Sequence, residues 1–151
     1  MELDRETQRR VWERVQRREP VQMPDLKREN PKQLLYPMQE NSGAYQNLSR
    51  QLPGKSGEKL RRLHQEQQSA IACVKGICRL RGEQVKVPNL TAPKEPPRRA
   101  LEKCYHREMQ LCKECESRTA DPEHGVVYSR LARQAREHCV TILELLGEMG
   151  G

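Results

Sequence analysis

Three polar side chains occupy positions that the residue spacing assigns to apolar helix faces. Glu66, Glu108 and His138 each fall on the apolar stripe of a different predicted helix, near its middle. A carboxylate is rarely buried without a partner, because such burial is energetically costly. Two carboxylates and an imidazole can bind a divalent metal ion. They can also form a metal-free network in which a protonated histidine pairs with a carboxylate. We therefore predict a shared polar centre and leave both chemistries open.

A second possible ligand pair is the CxxC sequence of Cys112 and Cys115. Two thiols at this spacing on a helix could bind zinc with help from Cys104 or Cys139, or they could form a redox dithiol. Zinc sites normally combine two recognisable ligand pairs. The only other pair here is the adjacent His138 and Cys139, whose side chains diverge on a helix. The pattern therefore favours packed or partly exposed thiols.

The composition favours a single helical domain with a thin core. The chain has 151 residues, of which 34% are hydrophobic and 3% aromatic, with no Phe. A sheet would require more β-branched and aromatic residues. No apolar run approaches the ~20 residues of a membrane span, and no signal peptide is visible. We therefore expect a cytoplasmic protein with reduced cysteines and no membrane partner.

The charge pattern indicates solvated helix surfaces. The net charge is +7, but Lys and Arg are interleaved with Glu and Gln, and there are few aromatic rings on which bases could stack. We therefore expect no nucleic-acid partner. A basic helical protein that binds nucleic acid or another partner through an N-terminal arm is kept as a third hypothesis. No phosphate-binding loop, dinucleotide fingerprint or Ser-His-Asp arrangement is present.

The elements that position these side chains are helices separated by proline and glycine. Residues 1–30 are predicted to form an N-terminal helical arm and a proline-containing linker, and residues 31–151 a bundle. The first bundle helix runs from about residue 31 or 33 to Leu52 and ends at Pro53. The second begins at Ser56 as N-cap and ends before Gly82.

The second half of the bundle follows a long connection. Residues 83–97 contain four prolines and show no helical period. Fully extended they span roughly 50 Å, more than the about 39 Å of a 26-residue helix. The third helix, residues 98–118, can therefore start parallel to the second. The fourth has Asp121 as N-cap, Pro122 at its first position and an end near Gly147. In its first turn Gly125 either allows a close neighbour or costs stability.

This order predicts an all-α, ferritin-like antiparallel four-helix bundle with one long crossover between its second and third helices, plus an N-terminal helix. Three segments resemble the rubrerythrin-like branch of the ferritin-like superfamily. They are GAYQNLSRQLPG (43–54), LRRLHQEQQSAIACVKGICRLRGE (60–83) and RALEKCYHREMQLCKECESRTADPEHGVVYSRLARQAREHCVTILELLG (99–147). The arm ETQRRVWERVQRRE resembles the leader of small bacterial members.

The resemblance implies a di-iron carboxylate site that is partly lost. Family members use a Glu from each of two helices and Glu-x-x-His from each of the other two. Glu66, Glu108 and His138 match this pattern and are the candidate remnant metal ligands. The remaining ligand positions hold residues without suitable donors, namely Met38, Ser69 and Ala135. A metal-free centre could be completed by hydrogen bonds from Tyr45, Tyr105 or Ser69.

Two functional hypotheses follow from the resemblance. The first is a non-catalytic or structural bundle, a binding or assembly module without a cofactor. The alternative is a metal-dependent peroxide or oxygen reductase, or an iron-handling protein, that uses iron or another divalent metal with a reduced ligand set. An oxidoreductase would need a separate electron donor, because the paired CxxC knuckles of a rubredoxin-like domain are missing. The resemblance also makes a homodimer plausible.

Overall fold

The computed structural model describes residues 30–86 and 90–150. These residues form four α-helices and no strand: α1 (Lys32–Gln51), α2 (Gly54–Leu80), α3 (Pro97–Glu116) and α4 (Gly125–Met149). The prediction of an all-α fold with four bundle helices is confirmed. The predicted N-terminal helix and nearly all of its linker lie outside the described residues. None of the helices in the described ranges combines the length and the apolar composition that a membrane span requires.

Proline and glycine follow the ends of α1 and α2 where the sequence predicted. Helix α3 ends two residues earlier than predicted, at Glu116, and α4 continues past Gly147 to Met149. Two helix starts also differ. The chain leaves α2 at Gly82, whose φ is +75° and whose N–H donates to the carbonyl oxygen of Arg79. The prediction that Ser56 caps α2 is wrong. The helix begins two residues earlier, at Gly54, and the Ser56 hydroxyl donates to Glu148 Oε2 at 3.0 Å.

The start of α4 lies three residues later than predicted. Asp121 Oδ1 accepts hydrogen bonds from the backbone N–H groups of Glu123 and His124, at 2.8 and 2.9 Å. It therefore caps a turn, and the helix proper begins at Gly125. A Cβ atom at Gly125 would collide with the carbonyl oxygen of Thr119. The close approach of a neighbour, one of the two roles predicted for this glycine, is thus observed.

Contacts between helices define their directions. Near one end of the bundle Arg118 Nη2, from the turn after α3, donates to Gln33 Oε1 at the start of α1. At the other end Lys59 of α2 pairs with Glu148 of α4, Nζ to Oε1, at 2.8 Å. Helix α1 is therefore antiparallel to α3, and α2 to α4. The connection from residue 81 to residue 96 starts α3 parallel to α2.

The core consists of two apolar clusters with a polar layer between them. The first cluster joins the beginnings of α1 and α4 to the ends of α2 and α3, and the second joins the opposite halves. Five polar side chains lie between the clusters along the helices, each at most 2% exposed: Asn41, Ser42, Gln67, Glu108 and His138. Each helix contributes at least one of them. This layer brings the predicted chemical groups together at mid-height.

Candidate functional site

His138 forms the middle of the polar layer. It lies on the inner face of α4 between buried Ala135 and Ile142, and it is 2% exposed. Its Nδ1 lies 2.7 Å from Glu108 Oε2 of α3, and its Nε2 lies 2.8 Å from Glu66 Oε1 of α2. The structure thus brings both predicted carboxylates into direct contact with His138. The imidazole stands between the two carboxylates as a bridge.

Tyr45 completes the centre from α1. Its hydroxyl donates a 2.6 Å hydrogen bond to Glu108 Oε2, the same oxygen that contacts His138. The two rings meet edge to face, with centroids 6.3 Å apart. Burial, and then the nearby charge of Glu108, raise the pKa of Tyr45 well above its ordinary value. The hydroxyl therefore stays protonated and acts as a donor to the buried carboxylate.

The two contacts of His138 fit a charged imidazole between ionised carboxylates. Ionised carboxylates only accept hydrogen bonds, and a neutral imidazole has one N–H. Both short contacts of His138 are therefore satisfied only when both ring nitrogens carry a proton. Burial by itself would lower the pKa of His138, but the hydrogen bonds and charges of Glu108 and Glu66 outweigh it, so that this pKa is raised. With both carboxyl groups ionised, the centre is an ion network of one imidazolium and two carboxylates.

The two carboxylates differ in their access to water. Glu108 is 1% exposed, whereas the side chain of Glu66 is 41% exposed and reaches His138 from the edge of the bundle. The expectation that Glu66 lies on the buried stripe of α2 is therefore wrong. Gln67, one position later, occupies the interior at 2% exposure. The inner line of α2 passes through Leu63, Gln67 and Ala70.

This shift of the inner line also changes the role of Ser69. Ser69 is exposed, so its hydroxyl does not contribute to the centre as predicted. A separate set of polar contacts, which the sequence did not single out, joins α1 to α2. The Ser42 backbone carbonyl and hydroxyl lie 3.0 and 3.1 Å from His64 Nδ1, and the Ser42 hydroxyl also accepts from Gln68. The spacing of polar residues in the sequence did not predict these hydrogen bonds.

A small cavity adjoins Glu108. It measures about 10 Å³, and its lining includes Met38, Gln67 and Ala135. Gln67 Oε1 has no hydrogen-bond partner in the described part of the chain. A space of this size holds about one water molecule, which needs polar partners such as these. The cavity therefore suits a water and leaves no room for a larger ligand.

The donor set does not match two iron ions. The family pattern supplies about four carboxylates and two imidazoles, whereas this centre has two carboxylates and one imidazole, already in contact with each other. The ring nitrogens face opposite directions, so one ion cannot bind both. Within residues 30–86 and 90–150, no group of three or more His, Cys, Asp and Glu is arranged to hold a metal ion. The metal-ligand role of Glu66, Glu108 and His138 stays a prediction.

The cysteines near the centre are free thiols, of which Cys104, Cys112 and Cys115 are buried and Cys139 is partly buried. Cys112 and Cys115 are both free, and Cys112 Sγ lies 3.7 Å from Arg136 Nη1. Burial raises the pKa of Cys104 and of Cys115 to about 12, and that of Cys139 to about 11. At neutral pH these groups are therefore protonated, which makes them poor nucleophiles.

Comparisons with protein-family models, curated proteins and solved structures found no match for this chain. The resemblance to rubrerythrin-like proteins therefore stays a prediction. The residues that carry a functional proposal are those of the polar centre, whose contacts are described above.

Proposed function

We propose that this chain is a non-catalytic helical bundle, a binding or assembly module, whose polar centre is held together by an ion network instead of a metal. The observation that supports this is the position of His138. Its two ring nitrogens lie 2.7 and 2.8 Å from two different carboxylates. A proton on each nitrogen already provides the positive charge that a metal ion would otherwise bring to these carboxylates.

The helix order supports a ferritin-like bundle. Helix α1 runs antiparallel to α3, α2 runs antiparallel to α4, and residues 81–96 start α3 parallel to α2. A four-helix bundle with one long crossover has this order. In our proposal the chain keeps the bundle and the position of a ligand histidine, and it has replaced the di-metal centre by hydrogen bonds.

The burial of the centre argues against catalysis. His138 and Glu108 are at most 2% exposed, and the cavity beside Glu108, of about 10 Å³, accommodates no substrate beyond a water molecule. A general acid or base must come within hydrogen-bond reach of the reacting group. In this arrangement the hydrogen-bonding atoms of His138 and Glu108 that face each other are already paired, so they are not available to a substrate.

The thiols fit a reducing compartment. All six cysteines are free, including Cys104 and Cys115, which are at most 1% exposed. Free buried thiols persist where glutathione and thioredoxin keep them reduced. We therefore place the protein in the cytoplasm.

The alternative function is a metal-dependent peroxide or oxygen reductase, or an iron handler. It would require His138 to lose a proton and one carboxylate to turn away. Elemental analysis of chain produced with added iron, manganese and zinc separates the two hypotheses. We expect substoichiometric metal and a melting temperature that metal addition leaves unchanged.

The variant Glu108→Gln and the control His106→Gln sharpen this test, since His106 is exposed on the same helix. One or two tightly held ions per chain, lost in Glu108→Gln and kept in His106→Gln, would overturn the proposal. A ¹⁵N spectrum of the His138 ring gives an independent measurement. It should show both nitrogens protonated at pH 6, whereas a single protonated nitrogen would contradict the ion network.

A further inference from the structure

A second cavity, of about 120 Å³, lies between α1, α3 and residues 90–95. None of the residues of the ion network lines it. An engineered cavity of about 150 Å³ in another protein binds benzene, so a space of this size accommodates about six non-hydrogen atoms. The cavity is therefore large enough for a small organic molecule, unlike the space beside Glu108.

The floor of this cavity is built from small residues. Gly43, Ala44 and Ala100 contribute to the lining, from the middle of α1 and the beginning of α3. A Cβ atom at Gly43 would meet no atom within 4 Å. No packing contact requires glycine here, although glycine weakens a helix interior. The missing side chain of Gly43 leaves the cavity beside α1 unfilled.

The walls offer hydrogen-bond acceptors that lack donors. Glu95 Oε1 accepts from Lys103 Nζ at 2.6 Å, but Glu95 Oε2 is buried and has no partner in the described residues. Gln39 Oε1 is in the same situation. Buried polar atoms are nearly always hydrogen-bonded, so these oxygens indicate a missing donor.

The charged side chains that line the cavity disfavour the binding of an anion. Both cationic side chains of the lining already pair with carboxylates, Lys103 with Glu95 and Arg107 with Glu40 at 2.6 and 3.6 Å. An anionic ligand would have to compete with these carboxylates. A ligand that donates hydrogen bonds would instead meet oxygen atoms that lack a partner.

We propose that this cavity binds a small organic amine. Its ammonium group donates to Glu95 Oε2 and to Gln39 Oε1, and its apolar body lies over Gly43, Ala44 and Ala100. The inference is independent of the ion network, because the two sites share no residue. It holds whether or not the centre of the bundle binds a metal.

The test uses isobutylamine as probe, because its five non-hydrogen atoms fit the cavity, together with the full isotope-labelled chain. We expect saturable changes in the NMR shifts of the Gly43 amide and of the Ala44 and Ala100 methyl groups. We also expect nuclear Overhauser effects from the methyl groups of the probe to both alanine methyls. Isobutanol, which has a similar shape and no charge, should bind about tenfold more weakly, because a hydrogen bond to a charged group is worth more than a neutral one. Equal binding of the two probes, or absence of these effects, would overturn the proposal.

Variants locate the site. Gly43→Leu should fill the cavity and abolish saturable binding. The matched control is Gly76→Leu on α2, because a Cβ there also meets no atom within 4 Å and Gly76 lies outside the cavity lining. Glu95→Gln should weaken the binding of isobutylamine about tenfold and leave that of isobutanol nearly unchanged. Unchanged isobutylamine affinity in either Gly43→Leu or Glu95→Gln refutes the site. If Gly43→Leu does not fold, Glu95→Gln and the wild-type Overhauser effects decide.

Discussion

Glu108→Gln should destabilise the bundle much more than Glu66→Gln, although both carboxylates contact the same imidazole. The two substitutions are nearly isosteric and remove one charge each. They differ in burial, because Glu108 is 1% exposed and Glu66 41%. Comparing the two variants therefore measures how strongly burial increases the stability contributed by a contact between a carboxylate and an imidazole.

The magnitude follows from the contacts of Glu108. Its Oε2 accepts two short hydrogen bonds, 2.7 Å from His138 and 2.6 Å from Tyr45. Hydrogen bonds to charged groups contribute about 1.5–3 kcal/mol each, and breaking a buried ion pair costs about 3–5 kcal/mol. A glutamine retains part of this bonding, so we expect a loss of about 3 kcal/mol. For the half-exposed Glu66 we expect at most about 1 kcal/mol.

The effect should depend on pH with a defined sign. Because the pKa of His138 is raised in the folded state, its pairing stabilises the fold fully below the unfolded pKa of about 6.5. This contribution is lost as the pH rises through the folded pKa. The difference between wild type and Glu108→Gln should therefore be largest near pH 6 and shrink at higher pH.

Urea unfolding followed by far-UV circular dichroism at pH 6 and above pH 8 provides the assay. Equal losses for the two variants at pH 6 would refute the argument from burial. A Glu108→Gln variant that stays within about 1 kcal/mol of wild type would refute the ion network itself. A difference that grows with pH would show that His138 is not protonated in the folded state.

Two further predictions concern backbone contact and thiol chemistry. Gly125→Ala should destabilise the fold by about 2 kcal/mol in urea unfolding, because its Cβ would collide with the Thr119 carbonyl oxygen; an unchanged midpoint would contradict this contact. At pH 8, iodoacetamide should modify the partly exposed Cys73 well before Cys104 and Cys115, whose pKa burial raises to about 12. Peptide mass spectrometry measures this order, and equal rates in folded protein would disprove the burial effect.

The ends of α1 and α2 and the inward position of His138 could be predicted from sequence because strong local signals define them. Gly82 ends α2 by adopting positive φ, which other residues rarely do. On α4 the buried Leu131, Ala135, Ile142 and Leu145 leave one face on which His138 can lie. A regular stripe with apolar residues on both sides allows no second register.

The polar position of α2 could not be predicted in the same way. Glu66 and Gln67 are both polar and lie about 100° apart on the helix. Glu66 lies three residues after Leu63 and Gln67 lies four residues after it. Both spacings place a residue on the same helix face as Leu63, so the spacing does not distinguish them. The structure selects Gln67 because uncharged Gln is cheaper to bury than carboxylate. The predicted start of α4 was wrong for a related reason, since Asp121 caps a turn as readily as a helix.

The second cavity also had no sequence signal. Gln39 and Glu95 are far apart in the chain and line the same cavity only because residues 90–95 lie against α1 and α3. The cavity exists because small side chains leave space unfilled. The sequence around Gly43 does not show whether this helix position faces open space or a packed neighbour. Such features depend on tertiary packing, which local periodicity does not encode.

The polar layer also makes the bundle energetically modular. Because Asn41, Ser42, Gln67, Glu108 and His138 separate the two apolar clusters, a side chain removed from one cluster leaves its gap on one side of the layer only. Costs of distant cavities add when the sites share no neighbours. Truncations such as Val74→Ala and Leu145→Ala should therefore sum in a double variant, whereas paired truncations inside one cluster should not.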